Sequence, residues 1–323
     1  MSVQDRFDPN WLFRQFQHRE KDLSPEQYQI TYLVTDQVVA DDVKSRFTKT
    51  VSSIESLNDD QISKIVFYVY FLCDSDAINI LKRIHKFNGK FIPLLAFYKT
   101  NYRFIDRSTL EALQQTESLQ HRVSHFDYQV HENICEAINL TKNLEGDYVE
   151  IGVYMGGSAL TALNYMNQLK KLAYKPKNVW LLDTFDGFEY EEATNSQDAI
   201  WAGTHKIFGV ENTQTHVKEI LNTANVDYNM VVNNICKDDL PAEIKSIAVA
   251  NIDVDMYEAT LEGLNKVAPL MVKGGIIIAE DAASTPGLYG AYLALTEFLE
   301  SDMGSNFISI FKNGQYFLIR KYD

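Results

Sequence analysis

The stretch Glu150-Ile151-Gly152-Val153-Tyr154-Met155-Gly156-Gly157-Ser158 decides the fold. It follows an apolar run typical of a β-strand and precedes a segment with helical spacing. Glycines at such a turn let the backbone approach a ligand, and the helix that follows offers free N–H groups to a carboxylate or phosphate. The stretch therefore predicts a ligand-binding turn between a strand and a helix, with a plain tight turn as the alternative.

Strand and helix patterns alternate from this stretch to the end of the chain. The expected strands cover residues 148–153, 179–183, 228–233, 247–253 and 275–280. The expected helices cover residues 158–170, 213–222, 259–267 and 290–300. Two last strands, 308–310 and 316–320, are joined by Lys312-Asn313-Gly314 as an antiparallel hairpin. This alternation predicts a doubly wound α/β sheet with the hairpin at its edge.

The first part of the chain predicts a second, smaller α/β domain. Strands are expected at residues 30–34, 65–72 and 91–98, with a helix at 75–86 between the last two. Neither of its strand-to-helix turns is glycine-rich, so we expect a scaffold, dimerisation or substrate-shaping role rather than a nucleotide site. With a polar linker at residues 108–124, the predicted domains are 1–120 and 121–323.

Composition excludes several classes of function. The 323 residues include 44 Asp and Glu against 30 Lys and Arg, a formal charge of -14 that would repel nucleic acid. The three cysteines lie far apart, so neither a disulfide framework nor a zinc site is indicated. No run reaches the roughly 18 apolar residues of a membrane span. We expect a cytoplasmic protein without nucleic-acid or membrane partners, and a homo-oligomer.

Residues at the ends of the first three strands favour an adenosine ligand. The glycine spacing differs from G-x-G-x-x-G, so an NAD-dependent oxidoreductase ranks lowest. Glu150, two residues before Gly152, suits an amino-bearing ligand such as the methionine end of S-adenosylmethionine. Asp183 ends the second strand, where a carboxylate can accept both ribose hydroxyls. Asp238, after the third strand, could accept from the adenine amine or could cap a helix.

Four carboxylates follow the next two strands. They are Asp253, Asp255, Glu280 and Asp281. Like charges at neighbouring strand ends repel unless they share a cation or a proton. Because no His or Cys accompanies them, the set suits Mg²⁺, Mn²⁺ or Ca²⁺ rather than zinc. Salt bridges or helix caps are the structural alternative.

Five motifs in this order resemble the TylF/MycF family of macrocin-type O-methyltransferases, over residues 127 to about 300. They are Gly146-Asp147-Tyr148-Val149-Glu150-Ile151-Gly152 with Gly156-Gly157-Ser158, then Leu182-Asp183-Thr184-Phe185, then Lys237-Asp238-Asp239-Leu240-Pro241, then Asp253-Val254-Asp255-Met256-Tyr257-Glu258, and finally Glu280-Asp281 with Pro286-Gly287. The family usually has Asp-Asp where this chain has Glu280-Asp281, and often has a Tyr-Gly pair and then Pro-Gly-Cys-Arg after it.

The resemblance implies a class I methyltransferase fold, S-adenosylmethionine as methyl donor, Mg²⁺ as helper and a sugar hydroxyl as acceptor. We place the cofactor against Glu150, Gly152, Tyr154, Gly156, Gly157, Ser158, Asp183, Thr184, Phe185, Asp238 and Asp253. We place the cation on Asp253, Asp255, Glu280 and Asp281. Asp255 and His205 are the candidate catalytic residues, and His205 could equally be a packing residue. An amine or phosphorylated acceptor, or a cofactor-fold scaffold without turnover, are the alternative functions.

Overall fold

The structure is a computed structural model that describes residues 30–39, 41–93, 104–123, 125–196, 198–284 and 289–322. The chain divides into two compact units, Met1–Leu110 and Glu111–Asp323, whose boundary lies ten residues before the predicted one. Part of the expected strand at 91–98 and the Pro286-Gly287 motif lie outside the described residues. Among the described residues, no helix is both long and apolar enough to cross a membrane.

The N-terminal unit contains a four-stranded parallel sheet in the order β2-β1-β3-β4. Its strands are β1 (Thr31–Thr35), β2 (Lys49–Val51), β3 (Val66–Tyr70) and β4 (Lys90–Pro93). Its helices are α1 (Asp41–Lys44), α2 (Asp59–Ser63) and α3 (Asp74–Lys86). The sequence indicated β1, β3, β4 and α3 but missed β2, since three residues are too few to show a period.

Local chemistry explains these elements. All five residues of β3, Val-Phe-Tyr-Val-Tyr, are buried, as β-branched and aromatic side chains are in a central parallel strand. Helix α2 begins with a capping box, in which Asn58 and Gln61 each accept the other's backbone N–H at 2.9 Å. Gly89 directly follows the turn that ends α3 and donates to the carbonyl of Ile84.

The C-terminal unit carries the longer series of elements. Its strands are β5 (Asp147–Ile151), β6 (Val179–Asp183), β7 (Asn229–Val232), β8 (Ile247–Ile252), β9 (Met271–Ala279), β10 (Phe307–Lys312) and β11 (Gln315–Arg320). Helix α4 (Arg107–Glu117) runs into this unit. The helices after it are α5 (Gln120–Val123), α6 (Tyr128–Thr141), α7 (Gly157–Lys171), α8 (Glu191–Asn195), α9 (Val210–Leu221), α10 (Tyr257–Val267), α11 (Asp281–Ser284) and α12 (Tyr289–Glu300).

The seven strands form one sheet in the order β10-β11-β9-β8-β5-β6-β7. Strands β5 to β9 are parallel, while β11 pairs antiparallel with β9 and β10 pairs antiparallel with β11. The chain runs outward from β5 through β6 to β7 and then crosses to β8, so the strand order reverses between β5 and β8. The predicted doubly wound sheet with a C-terminal hairpin is thereby confirmed, and its switch point lies between β5 and β8.

The predicted linker is different in the structure. Of the expected linker, residues 108–117 belong to α4 and residues 120–123 to α5, and Leu113 and Thr116 are fully buried. Thr116 accepts hydrogen bonds from Thr161 and Asn164 of α7, so α4 packs on α7 within the C-terminal unit instead of crossing solvent. Gln114 and Gln115, which helped to suggest a linker, are exposed, whereas the polar residues Thr109 and Thr116 are buried.

Candidate active site

A cavity of about 540 Å³ lies at the carboxyl ends of the parallel strands of the C-terminal unit. Residues after β5, β6, β7, β8 and β9 line it, and α6 contributes Val130, His131 and Ile134. Its size is in the range of small-molecule and cofactor sites. Because the strand order reverses between β5 and β8, the cavity occupies the position where open α/β sheets bind their ligands.

The glycine turn after β5 forms one wall of this cavity. Gly152 has φ +90°, and a Cβ built on it would lie 1.6 Å from the carbonyl oxygen of Asp253. The turn and the end of β8 therefore approach so closely that only glycine fits at residue 152. Gly156 has φ +81° and caps α7, while Tyr154, Gly157 and Ser158 line the cavity.

Glu150 lies beneath this wall and does not line the cavity. Its side chain is fully buried and accepts the hydroxyls of Tyr148 at 2.5 Å and Ser158 at 2.6 Å. Burial raises the pKa of Glu150 to about 7, against the opposing effect of these hydrogen bonds. The structure thus connects Glu150 to the cavity only through Ser158, because its carboxylate is used to hold the first turn of α7.

Asp183 lies at the end of β6 and lines the cavity. One carboxylate oxygen accepts the backbone N–H groups of Val153 at 2.6 Å and Tyr154 at 2.9 Å. The other oxygen accepts the N–H of Phe185 at 2.6 Å. Thr184 and Phe185 also line the cavity. Asp183 therefore ties the end of β6 to the glycine turn while presenting a carboxylate to the cavity.

The residues after β7 reach the cavity through Asn233, Asn234 and Ile235, not through Asp238. The carboxylate of Asp238 accepts the backbone N–H of Asn234 at 2.8 Å. The structure does not bring Asp238 to the cavity, because its side chain closes its own loop. The local capping role, weighed as the alternative from the sequence, is the one this hydrogen bond fits.

Three of the four predicted cation ligands meet at the ends of β8 and β9. Carboxylate oxygens of Asp253, Glu280 and Asp281 all lie within 4.8 Å of one another. Burial, with the charge of Glu280 next, raises the pKa of Asp253 well above its usual range. Burial, followed by the charge of Asp253, does the same for the pKa of Asp281. Such a group of oxygen ligands fits a hard divalent cation, which would favour the ionised form of each carboxylate.

Asp255 lines the same cavity but is not one of these three residues. Its backbone has φ +61°, and its N–H donates to a carboxylate oxygen of Asp281 at 3.0 Å. Burial, with the charge of Glu280 next, raises the pKa of Asp255 to about 7. Asp255 therefore sits beside the carboxylate group and within the same cavity.

His205 also lines the cavity, in contact with aromatic rings. Its ring centroid lies 4.8 Å from that of Phe188 and 5.6 Å from that of Tyr154. The Thr204 hydroxyl donates to the carbonyl of Trp201 at 2.7 Å and lies 2.8 Å from Nδ1 of His205. Because the Thr204 hydroxyl already donates its proton to Trp201, its oxygen can only accept from His205. We therefore assign the ring proton to Nδ1, which leaves Nε2 as an acceptor. Burial, followed by His125, lowers the pKa of His205.

Five non-glycine residues that line the cavity have left-handed backbone conformations. They are His125, Tyr154, Phe185, His205 and Asp255, with φ between +47° and +63°. Each such residue costs on the order of 1–3 kcal/mol, and such strain concentrates at functional sites. The surrounding hydrogen bonds, such as those of Asp183 to the glycine turn, hold the chain in these conformations.

Several cavity residues were missed by the sequence analysis, among them Asn251 and His131. Asn251 is fully buried in β8, and neither its amide nitrogen nor its oxygen has a hydrogen-bond partner among the described residues. His131 of α6 is buried with Nδ1 at 2.6 Å from Thr161, and burial lowers its pKa to about 4. The signal for Asn251 was present, since it is the single polar residue within Ile247-Ala-Val-Ala-Asn-Ile252 and shares a strand face with Asp253.

Comparisons with known proteins identify the family of this chain. The model of the macrocin-O-methyltransferase (TylF) family matches residues 120–317. The demethyldecarbamoylnovobiocin O-methyltransferase of Streptomyces niveus is 27% identical over 197 residues, which cover 57% of this chain and 71% of that enzyme. The mycinamicin III 3''-O-methyltransferase of Micromonospora griseorubida is 26% identical over 155 residues, which cover 46% of this chain and 59% of that enzyme.

A solved structure supports the fold. The O-methyltransferase NovP superimposes with a TM-score of 0.53 at 17% identity, covering 67% of this chain and all of that chain. The family match extends over more than half of the chain and includes every wall of the cavity. The chain belongs to the macrocin-O-methyltransferase (TylF) family and is an S-adenosylmethionine-dependent O-methyltransferase.

Proposed function

We propose that the C-terminal unit transfers a methyl group from S-adenosylmethionine to a hydroxyl of a sugar or small hydroxylated metabolite, in natural-product or polysaccharide biosynthesis. One observation carries this proposal. A single cavity joins the Asp183 wall to the carboxylates of Asp253, Glu280 and Asp281. A cofactor bound at the Asp183 wall would lie next to an acceptor bound at these three carboxylates.

The cofactor half of the cavity fits S-adenosylmethionine. Asp183 would accept the ribose hydroxyls, while Asn233 and Asn234 offer amides near the adenine. The buried amide of Asn251 is an argument for a polar ligand in the cavity, because such an amide without partners is costly unless a ligand or water forms hydrogen bonds with it. When bound, the cofactor supplies an activated methyl group, and the protein's contribution is to align it with the acceptor.

The acceptor half fits a hydroxylated compound held with a divalent cation. Asp253, Glu280 and Asp281 would hold Mg²⁺, which when bound lowers the pKa of a coordinated hydroxyl. The relatives above are named for the O-methylation of mycinamicin III and demethyldecarbamoylnovobiocin, and a third, 28% identical over 158 residues, for a rhamnosyl-tetracenomycin. Aromatic rings of Tyr154 and Phe188 would pack against the acceptor on the other side.

Removal of the hydroxyl proton requires a base near the carboxylate group. Asp255 is the better candidate, because it lines the cavity directly beside these carboxylates, with its N–H on Asp281. His205 is the second candidate, since its Nε2 remains an acceptor. A cytoplasmic location, a homo-oligomeric state and the role of the N-terminal unit remain predictions.

Calorimetric titration with S-adenosylhomocysteine, with and without Mg²⁺, tests the cofactor half. We expect micromolar binding that Asp183→Ala abolishes and Asp186→Ala leaves within a factor of two. Asp186 is a suitable control, because it is an aspartate close to Asp183 in the sequence and its carboxylate forms an ion pair with Lys206. No binding in either condition would contradict the proposal. Methyl transfer is then assayed on free sugars, nucleotide sugars and glycosylated natural products, with release of S-adenosylhomocysteine as the signal.

A further inference from the structure

Gln315 is a fully buried residue that lies behind Glu280 and outside the cavity lining. It begins β11, which pairs antiparallel with β9 so that Tyr316 lies opposite Ala279. One further step along this register places Gln315 opposite Glu280. The Nε2 of Gln315 donates to Oε1 of Glu280 at 2.8 Å. Gln315 therefore reaches the cavity through Glu280.

The orientation of the Gln315 amide follows from a chain of hydrogen bonds. The Nδ2 of Asn133 donates to the backbone carbonyl of Lys312 at 3.0 Å and to Oε1 of Gln315 at 2.6 Å. A backbone carbonyl can only accept, so it fixes the Asn133 nitrogen on this side. The Asn133 nitrogen in turn requires the Gln315 oxygen to face it. The NH₂ group of Gln315 must then face Glu280.

The hairpin turn between β10 and β11 holds the other end of this series of hydrogen bonds. The Nδ2 of Asn313 donates to Oδ1 of Asn133 at 3.1 Å, which agrees with the same amide orientation. Asn313 and Gly314 have φ +49° and +85°, as a two-residue type I′ turn requires. The turn thus anchors Asn133, and Asn133 anchors Gln315.

We infer that Gln315 is a positioning residue that holds the long side chain of Glu280 as a cation ligand. This rests on the proposed cation role of the carboxylate group. Glu280 is one methylene longer than the Asp usual in the family, so its carboxylate has one more rotatable bond to fix. Partners of this kind behind a metal ligand typically change metal affinity by about 10–100-fold.

The test measures Mn²⁺ alone, by the loss of the free-ion EPR signal, so that it does not depend on turnover. Gln315→Met keeps length and volume but removes the donor, and we expect it to weaken Mn²⁺ binding at least about tenfold. In a Glu280→Ala background the same substitution should change affinity less than twofold. Binding of S-adenosylhomocysteine without metal should stay within twofold of wild type, which shows that the cavity is intact.

Asn133→Asp is a second variant, which distinguishes the effect of the orientation of the Gln315 amide from an effect of packing around Gln315. The new carboxylate can only accept, so the amide of Gln315 would turn its nitrogen towards position 133 and its oxygen towards Glu280. We expect Mn²⁺ affinity to fall as in Gln315→Met, and the double variant to fall no further.

Three results would overturn the inference. Equal Mn²⁺ affinity in wild type and Gln315→Met, with Glu280→Ala impaired, would show that Gln315 does not position Glu280. An equal loss in the Glu280→Ala background would show a general structural effect. If the wild-type protein binds no Mn²⁺ at all, the cation site fails together with the role of Gln315, while S-adenosylhomocysteine binding tests methyl transfer separately.

Discussion

The carboxylate of Asp183 accepts the backbone N–H of Tyr154 at 2.9 Å, and this bond connects two walls of the cavity. The same oxygen accepts the N–H of Val153, so one side chain fixes the glycine turn before any ligand arrives. Asp183 is thus expected to matter for the shape of the empty site as well as for the cofactor.

Asp183→Asn should loosen this turn. An amide keeps one acceptor oxygen, which can serve the turn or Phe185 but not both, so at least one buried N–H loses its partner. We expect the free energy of unfolding to fall by about 1–3 kcal/mol, measured by urea denaturation without ligand. Hydrogen exchange at Val153 and Tyr154 should also become faster. Asp186→Asn is the control, and unchanged exchange at both residues would contradict the account.

Substitutions of Asp255 and His205 by asparagine should separate the two candidate bases. Both residues have positive φ, at +61° and +63°, and asparagine tolerates this conformation better than alanine does. We expect Asp255→Asn to lower kcat about 10²–10⁴-fold, the usual contribution of a general base. Its affinity for S-adenosylhomocysteine should stay within threefold of wild type. A large loss of kcat in His205→Asn with little change in Asp255→Asn would reverse the assignment.

Glu150→Gln should change how stability depends on pH. The folded-state pKa of Glu150 is about 7, above the ordinary value of 4.5, so the folded protein binds this proton more tightly than the unfolded chain. Stability from this group is present below pH 4.5 and is lost as pH rises through 7. As pH rises from 4.5 to 7, the free energy of unfolding of the variant should therefore increase by about 3 kcal/mol relative to that of the wild type.

The measurement is urea denaturation of both proteins at several pH values. The same substitution at Glu243, an exposed residue, is the matched control. A constant difference between Glu150→Gln and wild type across this range would mean that the carboxylate is ionised in the folded state throughout.

Asn251→Leu should stabilise the ligand-free protein and weaken cofactor binding. The amide of Asn251 is buried without partners among the described residues, so its replacement by an apolar side chain removes a desolvation cost of about 1–3 kcal/mol. We expect a higher melting temperature together with at least tenfold weaker binding of S-adenosylhomocysteine. Lower stability in the variant would indicate that water satisfies the amide in solution.

The sequence predicted the large sheet well because its signals are local. Apolar strands, helical spacing and glycine turns predicted strands β5 to β11 in their order along the chain. The family resemblance is confirmed by the family match. The sequence could place Asp183 and Asp253 at the cavity, because residues after parallel strands share one edge of the sheet. The sulfonium donor and the O-methyltransferase class followed from the same motifs.

The parts that the sequence did not predict depend on side-chain direction. Glu150 has the right position in the motif, but its side chain turns beneath the glycine turn to Tyr148 and Ser158. Asp238 folds back on Asn234. Asp255 contacts Asp281 through its backbone N–H but is not one of the group of three carboxylates. Spacing along the chain carries no information about these directions.

The bond between Asn133 and Gln315 spans 182 positions of the chain, and this separation bears on the order of folding. Closing so long a loop is entropically costly, so contacts of this kind form late, after helices and neighbouring strands have assembled. In refolding from denaturant, the far-ultraviolet helix signal should therefore recover before Mn²⁺ binding does. The cation site would then report on completion of the native structure, because it assembles only when the two distant segments have met.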